Sequence, residues 1–198
     1  DDFFSKRDGE KGDSINILFY GKFTPIHGTE YILKAAKILE KNKKIKFTII
    51  GKGQTYKKDM ALARELKPNN IEFIEWVPYS ELPTIISNSD ICLGGHFGLG
   101  EKAARVIPNK TFQMIAMQKP VVVSDSMASM EGGFINKENA IFCKRGDEHA
   151  IVDSIQQIID NKTLAKKISL NSYNLYKENY SIDALARKTI SIIKNGDK

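Results

Sequence analysis

The sequence predicts an α/β domain: a doubly wound parallel sheet of six strands with helices on both faces and a helical carboxyl-terminal tail. Three observations carry this. Short apolar runs recur between residues 15 and 143, segments with helical spacing alternate with most of them, and several turns that close the runs are glycine-rich. Strands alternating with helices need crossover connections, and crossovers make neighbouring strands parallel.

Residues 1–14 are polar and glycine-dotted, ending in Gly12-Asp13-Ser14, and read as a linker. Residues 15–20, closed by Gly21, form the first buried strand. Ile32, Ala35, Ala36 and Leu39 then recur at helical spacing until Lys41-Asn42-Lys43-Lys44 ends the helix. The second strand, 47–50, runs into Gly51-Lys52-Gly53. A helix over about 55–66 stops before Pro68-Asn69-Asn70, and the third strand is 71–76. A short helix at about 81–87 precedes a strand at 90–93 and a glycine-rich stretch at 94–100. Pro108-Asn109 opens a helix to about Met117, and strands follow within 119–123 and 140–143. The tail reads as helices at about 147–160, 163–178 and 182–194. Residues 15–198 thus read as one Rossmann-like domain.

Composition narrows the function. Of 198 residues 41% are hydrophobic and 27% charged, which excludes a disordered chain. The net charge of +6 suits anionic small ligands or lipid headgroups. The basic residues lack interleaved aromatics on one face, so nucleic acid is not an expected partner. No run of eighteen apolar residues predicts a membrane span. Cys92 and Cys143 lie in strand-like runs as small core residues, and no Cys/His pair has metal-ligand spacing. A cytoplasmic protein without a metal site or cofactor is expected. The run Lys41, Lys43, Lys44 and Lys46 reads as solvated surface, with peripheral docking on anionic lipid as its functional alternative. The opening Asp1-Asp2-Phe3-Phe4 lacks an initiator methionine and a signal-peptide pattern, so a piece of a longer protein is expected.

Ligands of open parallel sheets lie beyond the carboxyl ends of the strands, so the turns there carry the functional reading. The first, Gly21 to Gly28, offers Lys22 and His27 five residues apart, with glycines that let a ligand approach the backbone. Singly they read as a surface lysine and a loop histidine; their joint placement points to an anion. The second, Gly51-Lys52-Gly53, matches part of a dinucleotide fingerprint, but Tyr56 occupies the third glycine's place and no nicotinamide site is expected. The third runs from Gly94 through Phe97 and Gly98 to Gly100, then Pro108-Asn109-Lys110-Thr111-Phe112-Gln113. A glycine loop leading to a helix start presents N–H groups and a positive dipole end, and Lys110 adds a cation beside them. Asn109 fits the N-cap and Pro108 fits the first turn equally well. Glu131 is expected at the start of a helix beyond the fifth strand, as a dipole-favoured acid or an acid/base group.

These residues resemble the carboxyl-terminal, donor-binding half of group 1 glycosyltransferases, the large family 4 with the GT-B architecture. The resemblance covers about residues 15–188. It rests on the Gly21-Lys22 to His27-Gly28 turn, Ile49-Ile50-Gly51-Lys52-Gly53, Trp76-Val77-Pro78 to Pro83, Ser89-Asp90, Pro108 to Gln113, Lys119-Pro120-Val121-Val122 and Glu138-Asn139-Ala140. The resemblance implies a retaining transfer of a sugar from a nucleotide diphosphate sugar to a glycan or lipid-linked acceptor, a hexosyltransferase reaction that needs no bound metal. It implies that Lys22 and His27, where the family has arginine and lysine, grip the diphosphate. Gly21, Gly51 and Gly53 would belong to the donor site, Val77 would contact the base, and Phe97 and Gly98 the sugar. Pro108, Asn109, Lys110 and Thr111 would present the phosphate-facing helix start, and Gln113 would meet the ribose. It also implies an amino-terminal acceptor domain in the parent chain, without which this piece is inactive. Gln113 departs from the family's glutamate, and Arg105 stands eight residues before it where a first glutamate is usual. Two other readings stay open: a nucleotide-sugar epimerase of the same architecture using Glu131 and His96, and a non-catalytic nucleotide-binding module.

Overall fold

The computed structural model describes residues 3–6, 9 and 12–196. Of the expected linker, residues 1, 2, 7, 8, 10 and 11 lie outside the described residues. The strands are β1 (Ile15–Tyr20), β2 (Ile45–Ile50), β3 (Ile71–Ile74), β4 (Ile91–Gly95), β5 (Val121–Ser124) and β6 (Ile141–Cys143). They form one sheet in the order β3-β2-β1-β4-β5-β6, every pair parallel. The helices are α1 (Thr29–Leu39), α2 (Tyr56–Leu66), α3 (Leu82–Ser87), α4 (Glu101–Ala104), α5 (Asn109–Ala116), α6 (Met127–Glu131), α7 (Glu148–Asp160), α8 (Lys162–Asn179) and α9 (Ile182–Gly196), with a 3-10 turn at Tyr79–Glu81. The Rossmann-like α/β fold and its helical tail are as the sequence predicts.

Successive strand residues face opposite sides, so β1 feeds two cores. Ile17 and Phe19 pack with Phe47, Ile49 and the apolar stripes of α1 and α7. Leu18 and Tyr20 pack with Cys92, Val121, Val123, Met114 and Ile115 on the other face. Fully burying each large apolar side chain contributes roughly 1.5–3 kcal/mol, so both faces commit the chain to this sheet. Asp147 and Asn161 start α7 and α8 by accepting backbone N–H groups at 2.9–3.1 Å.

Four details differ from the sequence reading. β4 continues through Gly94 and Gly95, because α5 presses on it there: a Cβ at Gly94 would lie 2.9 Å from Thr111 Oγ1. β3 is an edge strand whose ladder ends where Gly51 N–H donates to Ile74 O (2.8 Å), freeing Glu75 and Trp76 from the sheet. The short helices α4 and α6 lack a long apolar stripe and leave no periodic signal. Glu131 consequently ends α6 instead of opening a helix. α9 lies where expected, but it buries Ala184 while Ile182, Leu185, Ile190, Ile192 and Ile193 stay exposed. Among the described residues no helix is long and apolar enough to cross a membrane.

Candidate functional site

The strand order reverses direction between β1 and β4, and the loops that follow these two strands meet at that switch point. Gly98 N–H donates to Ile26 O (3.0 Å), Phe97 N–H to His27 O (3.3 Å), and Gly146 N–H to Phe97 O (2.7 Å). Side chains are excluded at the crossing. A Cβ on Gly98 would stand 1.9 Å from Pro25 O, and one on Gly28 (φ +65°) 2.4 Å from Gly98 N. A second close approach ties the β1 and β2 loops together, since a Cβ on Gly51 would be 1.9 Å from Gly21 O and one on Gly53 2.7 Å from Phe23 O.

Three nitrogen-bearing side chains converge beside Gly21. The His27 and His96 rings lie 4.9 Å apart at 35°. His27 Nδ1–H faces the Lys22 carbonyl and His96 Nδ1–H donates to Val106 O (3.1 Å), since a carbonyl can only accept. Each neutral ring therefore keeps its unprotonated Nε2 for other partners. Lys110, on the first turn of α5, is only 6% exposed and its Nζ has no hydrogen-bond partner among the described residues. The ammonium lies 3.6 Å from the centre of the Phe19 ring. From the point where a Gly21 Cβ would be, Lys110 Nζ is 3.6 Å away and His27 Nε2 3.8 Å. Burial holds the Lys110 amine well below its ordinary pKa. Burial first, and the charge of Lys110 second, push His27 down to about 3 and His96 to about 4. Both shifts favour the neutral His27 ring near pH 7, and an anion beside it would act against them.

Beside this cluster a cleft of about 310 Å3 crosses the carboxyl ends of β1, β2 and β3, with Lys22, Trp76 and Val77 among its walls. Trp76 is 74% exposed. Lys52 and Tyr56 both bind Glu75 at the rim, at 2.8 and 2.7 Å. Gln113, one turn along α5, is held from both sides: Tyr20 Oη donates to its Oε1 (2.7 Å), and its Nε2 donates to Tyr79 Oη (3.1 Å).

The structure therefore brings together Gly21, His27 and Lys110, with Lys22 exposed at the mouth of the adjoining cleft. Gly51 and Gly53 serve the loop crossing. Phe97 and Gly98 are buried, so of that loop Leu99 and Gly100 are the exposed residues. Pro108 takes the N-cap place of α5 without a side-chain hydrogen bond, which makes Asn109 the exposed first helical residue. Thr111 is fully buried against Gly94 and faces the packing, away from solvent. Glu131 is exposed at the end of α6. Tyr20, Tyr79 and the pairing of His27 with His96 are what spacing did not single out. Tyr20 carried a signal: a polar tip closing an otherwise apolar strand at its carboxyl end. Among the described residues no group of three or more His, Cys, Asp or Glu could hold a metal ion.

A family profile described as glycosyl transferases group 1 matches residues 1–175. An uncharacterized glycosyltransferase of Methanocaldococcus jannaschii is 26% identical over 171 residues, which cover 85% of this chain and 42% of that protein. The chain spans a little under half the length of the curated relatives it matches. Its fold is similar to the C-terminal domain of a glycosyl transferase group 1 family protein (LpcC) from Francisella tularensis, with a TM-score of 0.75, 19% identity, and coverage of 91% of this chain and 97% of that one. It is also similar to HepE of Anabaena, solved in complex with UDP-glucose, with a TM-score of 0.77, 14% identity, and coverage of 92% of this chain and 49% of that one.

Proposed function

The chain belongs to the group 1 glycosyltransferases, and from that premise we propose that it is the part of a retaining glycosyltransferase that binds a nucleotide diphosphate sugar and supports transfer of the sugar to a glycan or lipid-linked acceptor. The observation that carries this is the unpartnered, buried Lys110 Nζ beside Gly21 and His27 Nε2 at the switch point. A buried ammonium without an acceptor is costly unless something anionic completes it, and a diphosphate does so. The Gly21 backbone admits the phosphates closely, Lys22 adds a mobile cation at the mouth, and the start of α5 adds its dipole. The cleft walled by Trp76 and Val77 takes the base, and Gln113 meets the ribose. As the sugar–phosphate bond breaks, negative charge grows on the leaving diphosphate. Lys110, Lys22 and a His27 that has taken up a proton stabilise it more than they stabilise the intact donor, which is what accelerates the step.

Acceptor binding belongs, on this reading, to another part of the parent protein, so this piece binds donor but does not turn over. That HepE is solved with UDP-glucose supports the ligand class. Lys41, Lys43, Lys44 and Lys46, all exposed, are the surface we assign to peripheral contact with anionic lipid. The test is a thermal-shift series with uridine, guanosine and adenosine diphosphates and their sugars. A bound ligand at a hundred times its Kd adds about 2.7 kcal/mol, so at least one member should raise the Tm by several degrees. A flat response across the series, or a shift that persists in Lys110→Met, overturns the assignment.

A further inference from the structure

The reading above leaves open how a glutamine performs where a charged acceptor would be usual. Gln113 spans two tyrosines that differ in environment: Tyr20 is 7% exposed and Tyr79 58% exposed. Burial keeps the Tyr20 phenol protonated. That single proton has two acceptors in range, Gln113 Oε1 at 2.7 Å and Lys110 O at 3.5 Å, and the shorter one is much the better hydrogen bond. Oε1 is therefore turned inward to β1, and Nε2 is turned outward to Tyr79. The reversed amide would face its NH2 toward Tyr20 and leave the phenol proton only the long contact with Lys110 O.

We propose that Tyr20 and Tyr79 sort the two ends of the Gln113 amide, so that the donor's ribose hydroxyls are met by hydrogen-bond donors, and that Tyr20 is the positioning residue setting selection of ribose over 2′-deoxyribose. The inference rests on the donor-site reading. An amide nitrogen has two N–H groups, and only one is used on Tyr79. Tyr79, having accepted that bond, still has its own O–H to give. The outward face of the pair thus offers an N–H and an O–H side by side, matched to the oxygens of a vicinal diol. A nucleotide lacking the 2′-hydroxyl leaves one of these donors without its acceptor. With phenylalanine at position 20 only Tyr79 holds the amide, and because its hydroxyl can accept from the nitrogen or donate to the oxygen, the amide can turn its oxygen outward as readily as its nitrogen.

The experiment is calorimetric titration of uridine, guanosine and adenosine diphosphates and their 2′-deoxy counterparts into the wild type, Tyr20→Phe and Tyr79→Phe. For whichever base binds, the wild type should prefer the ribonucleotide about tenfold, the size of one hydrogen bond. Both variants should reduce that preference to less than about threefold while keeping affinity for the deoxynucleotide. A loss of packing alone would weaken both ligands equally and leave the ratio unchanged. Tyr79 is exposed, so its variant carries the test even where Tyr20→Phe fails to fold. A wild type without ribose preference, or a preference that survives both substitutions, overturns the sorting role alone. No binding of any of the six nucleotides to the wild type overturns the donor-site reading and this inference with it.

Discussion

Lys110 and the two histidines pose one electrostatic problem: three basic groups share a buried corner, and among the described residues no acid neutralises them. At neutral pH the unfolded chain solvates the Lys110 ammonium and the folded chain does not, so this residue lowers stability. Lys110→Met keeps an unbranched apolar chain and removes the charge over Phe19; it should raise the Tm by about 3 °C or more, while weakening nucleoside diphosphate binding ten- to hundredfold, the value of about 1.5–3 kcal/mol for a charge-assisted bond. Calorimetry of the pair checks both. The histidines give a pH signature. Their folded pKa values, about 3 and about 4, lie below the ordinary 6.5, so between those limits the unfolded state holds more protons. Stability is complete above pH 6.5 and declines as the pH falls through that range. The Tm should drop between pH 7 and pH 5, and the decline should flatten in a His27→Gln, His96→Gln variant. Ligand affinity should move the opposite way. A diphosphate beside His27 raises its pKa, so binding takes up a proton and tightens as the pH falls from 7 to 6. Titrations in two buffers of different ionisation enthalpy would register that proton. Lys110 was legible in the sequence as a cation on a helix start, and His27 as a loop neighbour of Lys22. The pairing with His96 was not legible, because it joins residues 69 positions apart through two loops that cross at glycines.

At the level of elements, strand and helix identity followed from periodicity because β1, β4 and β5 are covered on both faces and are apolar over most of their length. The five longest helices each carry a stripe or caps that can be read. What periodicity could not supply was the reach of β4 into Gly94 and Gly95, which is set by contact with α5 across the sheet and not by the strand's own residues. The glycines read as ligand-facing divide in the structure between approach to a ligand and approach of loop to loop. Gly98 is the sharpest case of the second. Gly98→Ala should cost more than about 4 kcal/mol or prevent folding, since backbone would have to move to admit a methyl 1.9 Å from Pro25 O. Gly12→Ala, where among the described residues only Ser14 N comes within 4 Å at 3.9 Å, should change the Tm by less than about 1 °C. Circular dichroism melts of the two variants separate a packing glycine from a linker glycine.

For the whole molecule, the sheet has two unlike ends. Its carboxyl end holds the histidine–lysine corner and the cleft. Its amino end holds Lys41, Lys43 and Lys44 on the turn into β2, with Lys46 just inside that strand. A net charge of +6 could attract an anion as a global field or through a built site, and the two differ in range. A six-residue strand spans roughly 20 Å, more than twice the Debye length of about 8 Å at physiological salt. Exchanging the four lysines for glutamate takes the net charge from +6 to −2 without touching the cleft. If local geometry binds the diphosphate, its Kd at 150 mM salt should change less than about twofold, since screening removes charge effects beyond a Debye length. Binding to vesicles containing an anionic phospholipid should be lost in the same variant if those lysines dock on lipid. A nucleotide affinity that collapses with the charge reversal would mean that the field, and not the corner built around Lys110, recruits the anion. The buried ammonium would then need another explanation.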